Sequence, residues 1–106
     1  MKLLRAMIVM VTIGFSTNSS AVIVDGAASC GQWAAGSVAR SWAHIADTAW
    51  VLGYLSGKAV NSGADVLRNT DKASIVLWMD NYCNRNPLKD VGDGADSLFI
   101  ELKNVQ

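Results

Sequence analysis

Between Ile75 and Pro87 the apolar residues fall three and four apart: Ile75, Trp78, Met79, Tyr82 and Cys83. That spacing places all five on one stripe of a helix, leaving Lys72, Asp80, Asn81 and Asn84 for the outward face. Thr70 is the expected N-cap, and Asp71 would sit at the positive end of the helix dipole, so the helix is expected over about 71–84. Asn86-Pro87 reads as a second cap followed by proline at a first helical position. A last helix is therefore expected from about Pro87 to Lys103, with Val91, Ala95, Leu98 and Leu102 on its core face and Phe99 beside them. Gly92 and Gly94 should weaken its first half by about 1 kcal/mol each relative to alanine.

Upstream, a helical pattern begins at Trp42 or His44 and is expected to run to Ser56. Ala46, Ala49, Trp50, Gly53, Tyr54 and Gly57 form one stripe, widened by Ile45, Leu52 and Leu55. The small residues at 46, 49 and 53 predict close approach of another helix, and Gly57 suits the left-handed position that often ends a helix. Gly53 and Gly57 repeat the spacing of a membrane dimer motif, but the stretch is too short to span a bilayer, which favours close packing in a soluble domain. Cys30 to Ala39 holds two glycines, Gly31 and Gly36, and predicts only a short irregular helix around 31–35, then a loop through Ser41. Asn61-Ser62-Gly63 is a turn signal, with a short helical turn expected over 64–67. No strand-like alternation extends beyond 21–24, and no repeat is visible. The pattern defines an all-α domain: a small bundle of three main helices plus a short N-terminal helix.

The N-terminus changes how much of the chain belongs to that domain. Lys2 and Arg5 precede an apolar run from Ala6 to Phe15, followed by Ser19-Ser20-Ala21. A basic region, a short apolar core and small residues at a cleavage point are the features of a signal peptide, expected over 1–21 with cleavage after Ala21. A membrane anchor would need about 20 predominantly apolar residues, whereas this run breaks at Ser16-Thr17-Asn18. A lipoprotein would need its cysteine much nearer the apolar run than Cys30 lies. One domain then spans 22–106, exported to the periplasm or secreted.

Removing Lys2 and Arg5 from the nine Lys and Arg leaves seven against nine Asp and Glu. A weakly acidic domain has no electrostatic footprint for nucleic acid or an anionic membrane. A domain of that size has a core of marginal strength, for which a covalent staple matters. Its two cysteines, Cys30 and Cys83, in an oxidising compartment make a disulfide the default. The competing uses are a metal site or a catalytic thiol, but two cysteines with the distant His44 lack zinc spacing.

No catalytic pattern emerges. Gly92-Asp93-Gly94 has neither the strand nor the lysine of a phosphate loop. Ser56, within Gly53-Tyr54-Leu55-Ser56-Gly57, lacks the spacing and setting of a nucleophile elbow and reads as a helix-end residue. Asp90, Asp93 and Asp96 lie along one side of the last helix, which suits a solvated face better than the convergent oxygens of a calcium site. His44 is the only histidine and reads as a polar residue at a helix start; an acid sensor is the sharper alternative. The expectation is a domain without enzymatic activity, cofactor or metal. Four tryptophans are unusual in so short a chain. Trp50 and Trp78 lie on core stripes, whereas Trp33 and Trp42 lie outside them, either covering the disulfide or serving a partner, where tryptophan is enriched. The candidate partner-binding residues are Trp33, Trp42, Trp50 and Tyr54.

Cys30-x-x-Trp33, the helix Trp50-Val51-Leu52-Gly53-Tyr54-Leu55-Ser56-Gly57, and Tyr82-Cys83-Asn84-Arg85-Asn86-Pro87 before a last amphipathic helix resemble the HdeA-like superfamily of small exported helical bacterial proteins. The resemblance covers most of 30–102. It implies one structural disulfide, Cys30 to Cys83, and no catalytic residue. One branch consists of acid-activated periplasmic chaperones, dimers that open at low pH and hold unfolding clients. The Tai-type branch consists of periplasmic immunity proteins that inhibit peptidoglycan amidases delivered by type VI secretion. The expected partner is accordingly another protein, a secreted effector or an unfolding client, with a homodimer as a further option.

Overall fold

The computed structural model describes residues 27–105; the expected leader, 1–21, lies outside them. Four helices follow one another: α1 (Cys30–Ala39), α2 (Trp42–Ser62), α3 (Lys72–Arg85) and α4 (Val91–Asn104). Among the described residues there is no strand, only an isolated antiparallel bridge between Ser29 and Asp90. The chain is a small helical bundle stapled by the Cys30–Cys83 disulfide, whose Cα atoms lie 4.7 Å apart.

Local chemistry explains each helix start. Ser29 caps α1 in a capping box: its hydroxyl accepts from the Gln32 backbone while the Gln32 side chain accepts from the Ser29 backbone. Ser41, Asp71 and Asp90 cap the other three, each accepting from the backbone N–H three residues on. Asp71 rather than Thr70 therefore opens α3. At the last helix the difference is larger. Pro87 lies in a turn after α3, and α4 begins at Val91, because Asp90 supplies the cap and the Val91 N–H donates to Ala28 O at 2.8 Å. Cys30 N–H donates to Lys89 O at 2.9 Å in the same place, so the lead-in to α1 and the turn before α4 hold each other.

α1 is longer than its glycines suggest. Gly36 is buried inside it, and a Cβ there would lie 3.3 Å from His44 Cβ. The residue that suggested a loop instead lets the start of α2 press against α1. α2 also runs past Gly57 to Ser62, ending where Gly63 takes φ 69°. Its buried face is Thr48, Val51 and Leu55, not the expected stripe. Ala46, Ala49, Gly53 and Gly57 face solvent, and a Cβ at Gly53 or Gly57 would meet nothing within 4 Å.

The core faces of α3 and α4 are those the spacing predicts. Ile75, Met79, Tyr82 and Cys83 are buried with Trp78 packed against them, and Val91, Ala95, Leu98 and Phe99 are buried with Leu102 at the edge. Gly94 is buried where the two helices meet. A Cβ there would lie 2.7 Å from Met79 Cε and 2.8 Å from Tyr82 Cδ1.

The glycines thus divide by surroundings. Gly53→Ala and Gly57→Ala should each stabilise the protein by about 0.5–1 kcal/mol, since alanine is the better helix former and fills open space. Gly94→Ala should destabilise it by about 1–3 kcal/mol, because overpacking against the Tyr82 ring outweighs the helical gain. Thermal melts of the three variants check the opposite signs.

α1 and α4 each pack against both α2 and α3. α2 and α3 consequently face each other across the bundle, and the space between their N-terminal halves stays open.

Candidate functional site

That opening is a groove of about 560 Å³. α2 contributes His44, Ile45 and Thr48 to it. α3 contributes Ala73, Val76 and Leu77, with Lys72 and Asp80 at the two ends of its wall. Ile45 is 54% exposed and Leu77 61%, so two large apolar side chains form the rim. Trp42, one turn before Ile45 on α2, is 85% exposed and extends the apolar surface beyond the groove. The other exposed apolar side chains, such as Val38, Val60 and Leu88, are distributed over different elements. Isolated exposures of that kind are ordinary on protein surfaces.

A second groove of about 660 Å³ runs between α1 and α2. Its apolar lining is alanine and glycine, including Ala35, Gly36, Ala39 and Ala43, beside the polar Gln32, Ser41 and Asp47, so it offers a partner no large apolar side chain. The α2/α3 groove, with Ile45, Val76 and Leu77 in its lining, is the better candidate on that ground.

The four aromatic residues expected at a partner surface do not form one. Trp33 is 0% exposed, at the centre of the core, so it presents no surface; its Nε1–H donates to Asp80 Oδ1 at 2.8 Å. Trp42 alone of the four is freely exposed. Trp50 and Tyr54 stack on each other with centroids 4.9 Å apart on the α4 side of α2, away from the groove. The Tyr54 hydroxyl donates to Asp96 Oδ1 at 2.6 Å, and Lys58 Nζ donates to the same oxygen at 2.9 Å. Trp78, on the core stripe, keeps its Nε1–H directed to Glu101 Oε2 at 2.7 Å.

Ile45, Val76, Leu77 and Asp80 are the site residues that spacing overlooks. A signal was present for Leu77, a large apolar residue off the buried stripe of α3. Asp80, expected on the outward face, accepts from both the Trp33 indole and the Ser37 hydroxyl, the latter at 3.2 Å. His44 lies edge-on to Trp33, with centroids 5.1 Å apart, and its Nδ1 is buried without a hydrogen-bond partner. The Ser56 hydroxyl donates to Leu52 O at 2.7 Å, as a helix residue does. Asp90 caps α4 and Asp96 ties α4 to α2, so these two aspartates do more than line a solvated face. Among the described residues no cluster of His, Cys, Asp or Glu is placed to hold a metal ion, and no helix is long and apolar enough to cross a membrane.

The Tyr54–Asp96–Lys58 tie carries a pH dependence. Burial works to raise the Asp96 carboxyl, but the hydrogen bonds from Tyr54 and Lys58 and the Lys58 charge together hold it below its ordinary value. Tyr54 is raised, chiefly by its hydrogen bond to Asp96, and Lys58 is raised chiefly by its own. A carboxylate depressed on folding contributes stability above its unfolded pKa and loses it as pH falls through the folded one. The melting difference between the wild type and Asp96→Asn should therefore be constant from about pH 5 to 7 and shrink below about pH 4. Its size should be modest, because Lys58 and Asp96 keep 34% and 48% of their side chains exposed.

No protein-family model, curated protein or solved structure matches the chain.

Proposed function

We propose that the protein is an exported, non-enzymatic protein-binding domain of HdeA-like type, acting in the periplasm or after secretion as an immunity-type inhibitor or a similar dedicated binder. The observation that carries this reading is the apolar surface of Trp42, Ile45 and Leu77, exposed on a frame already folded and stapled. Rigid helices hold these side chains in place, so a partner meets them without having to order them first. The disulfide supports export, since such bonds persist in oxidising compartments.

The test is affinity capture against secreted amidases and other envelope proteins, with wild type, Trp42→Ala and Leu77→Glu as baits. A partner held by the wild type should bind at least tenfold more weakly to either variant, about 1.4 kcal/mol or more. Equal binding to all three baits would remove this surface from the account. Suppression of aggregation of an unrelated acid-labile protein, measured at about pH 3 and about pH 7, separates the acid-activated chaperone. Protection only in acid would put the chaperone first, because a dedicated inhibitor has no reason to shield unrelated clients.

A further inference from the structure

The α3 wall of the groove is a single helical stripe with opposite charges at its ends. Lys72 and Asp80 are eight residues apart, about 12 Å along the axis, with Ala73, Val76 and Leu77 between them. Neither charge is neutralised by an ion pair: those among the described residues are Lys58–Asp96 and Arg68–Asp65. Asp80 accepts only from neutral donors, the Trp33 indole and the Ser37 hydroxyl, both on Oδ1. Because Trp33 is locked in the core, the half-buried carboxylate is held in place at the end of the groove. The walls are helices, whose backbone groups are already paired, so an extended peptide would find no free ladder to join. A segment that satisfies its own backbone, a helix, fits such a groove.

We infer that the groove binds an amphipathic helical segment of a partner protein, presenting a Lys or Arg to Asp80, an Asp or Glu to Lys72, and Leu- or Ile-sized side chains between them to Ile45, Val76 and Leu77. This rests on the protein-binding reading above and adds the partner's charge pattern and its register. With opposite charges about two turns apart, a helix in reverse polarity brings like charges together at both ends and is rejected. The same pairing of opposite charges disfavours an anionic lipid surface, which would be repelled at Asp80.

The probe is a displayed library of helical peptides with leucines fixed at one-turn spacing and the residues at either end, eight positions apart, randomised. It is selected on the folded protein and counter-selected on Leu77→Glu, whose site is exposed enough to leave the fold intact. Enriched peptides should carry a base at one end and an acid at the other, at least tenfold over charge-reversed and neutral versions of the same sequence. Asp80→Asn, which still accepts from Trp33 and Ser37, should lose the preference for the base while keeping dependence on Leu77. Lys72→Gln should lose the preference for the acid. Leu77-dependent enrichment that ignores end charges would overturn the charge pattern and leave the binding surface standing. Absence of any Leu77-dependent enrichment would overturn the groove as a protein-binding site, and the pattern with it.

Discussion

Trp33→Ala is expected to cost about 3–5 kcal/mol and to abolish cooperative unfolding at ordinary temperatures, the range for truncating a fully buried aromatic side chain. Trp33 is 0% exposed and belongs to the cluster that also contains Cys30, Met79 and Cys83. Its loss leaves a cavity at the junction of α1 and α3 and removes the indole donor from Asp80. Trp33→Phe separates the two contributions. It retains most of the buried area but leaves the carboxylate without that donor, an expected loss of about 1–3 kcal/mol. Melting temperatures and near-ultraviolet circular dichroism measure both. An alanine variant as stable as the wild type would show that the indole is not the centre of the core.

The second large effect is expected on breaking the disulfide. Cys83→Ser, or reduction of the wild type, should destabilise the protein by about 2–5 kcal/mol. Cys30 and Cys83 are 53 residues apart, and the chain-entropy model gives about 4 kcal/mol for closing a loop of that size. In a domain this small that can be most of the net stability. At roughly 4–8 °C per kcal/mol the melting temperature should fall by about 8 °C or more, enough at the upper end of the range to prevent folding at 37 °C. The loss should be largest for α1, a ten-residue helix too short to persist alone. An unchanged melting temperature with and without reductant would show that the bridge does not form.

Both effects act on the frame that holds the proposed docking surface. Trp33 and the disulfide fasten α1 to α3, and α1 positions Ser37 and Trp33 against Asp80 at one end of the groove. Substitutions at Trp33 should therefore weaken partner binding indirectly, together with stability. Those at Trp42 or Leu77 should weaken binding alone. Measuring stability beside affinity distinguishes the two.

The four expected residues do not lie on one surface, because residue type alone does not say what covers a side chain. Trp33, Trp42, Trp50 and Tyr54 share a preference for interfaces, but a tryptophan's location depends on what covers it. Trp33 is covered by α3 through a contact 47 residues away in sequence, which no local spacing reveals. Trp50 and Tyr54 are turned toward α4 by Asp96, 42 residues beyond Tyr54. Trp42 stays exposed because it is the first residue of its helix and no neighbouring element covers it.

Where a helix has one apolar stripe and a polar remainder, periodicity selects the buried face, as for Ile75, Met79, Tyr82 and Cys83 in α3 and for Val91, Ala95, Leu98 and Phe99 in α4. The all-helical class and the pairing of the only two cysteines were legible on equally local grounds. α2 is different: small or apolar residues surround most of its circumference, so amphipathicity does not choose between the stripe of Ala46, Ala49 and Gly53 and the face of Thr48, Val51 and Leu55. The choice falls to the neighbouring helices, which close on the second face and leave the first in water. The groove between α2 and α3 arises in the same way, because it lies where neither α1 nor α4 intervenes. An absence of packing between distant segments has no periodicity, so it becomes visible only once the helices are in place.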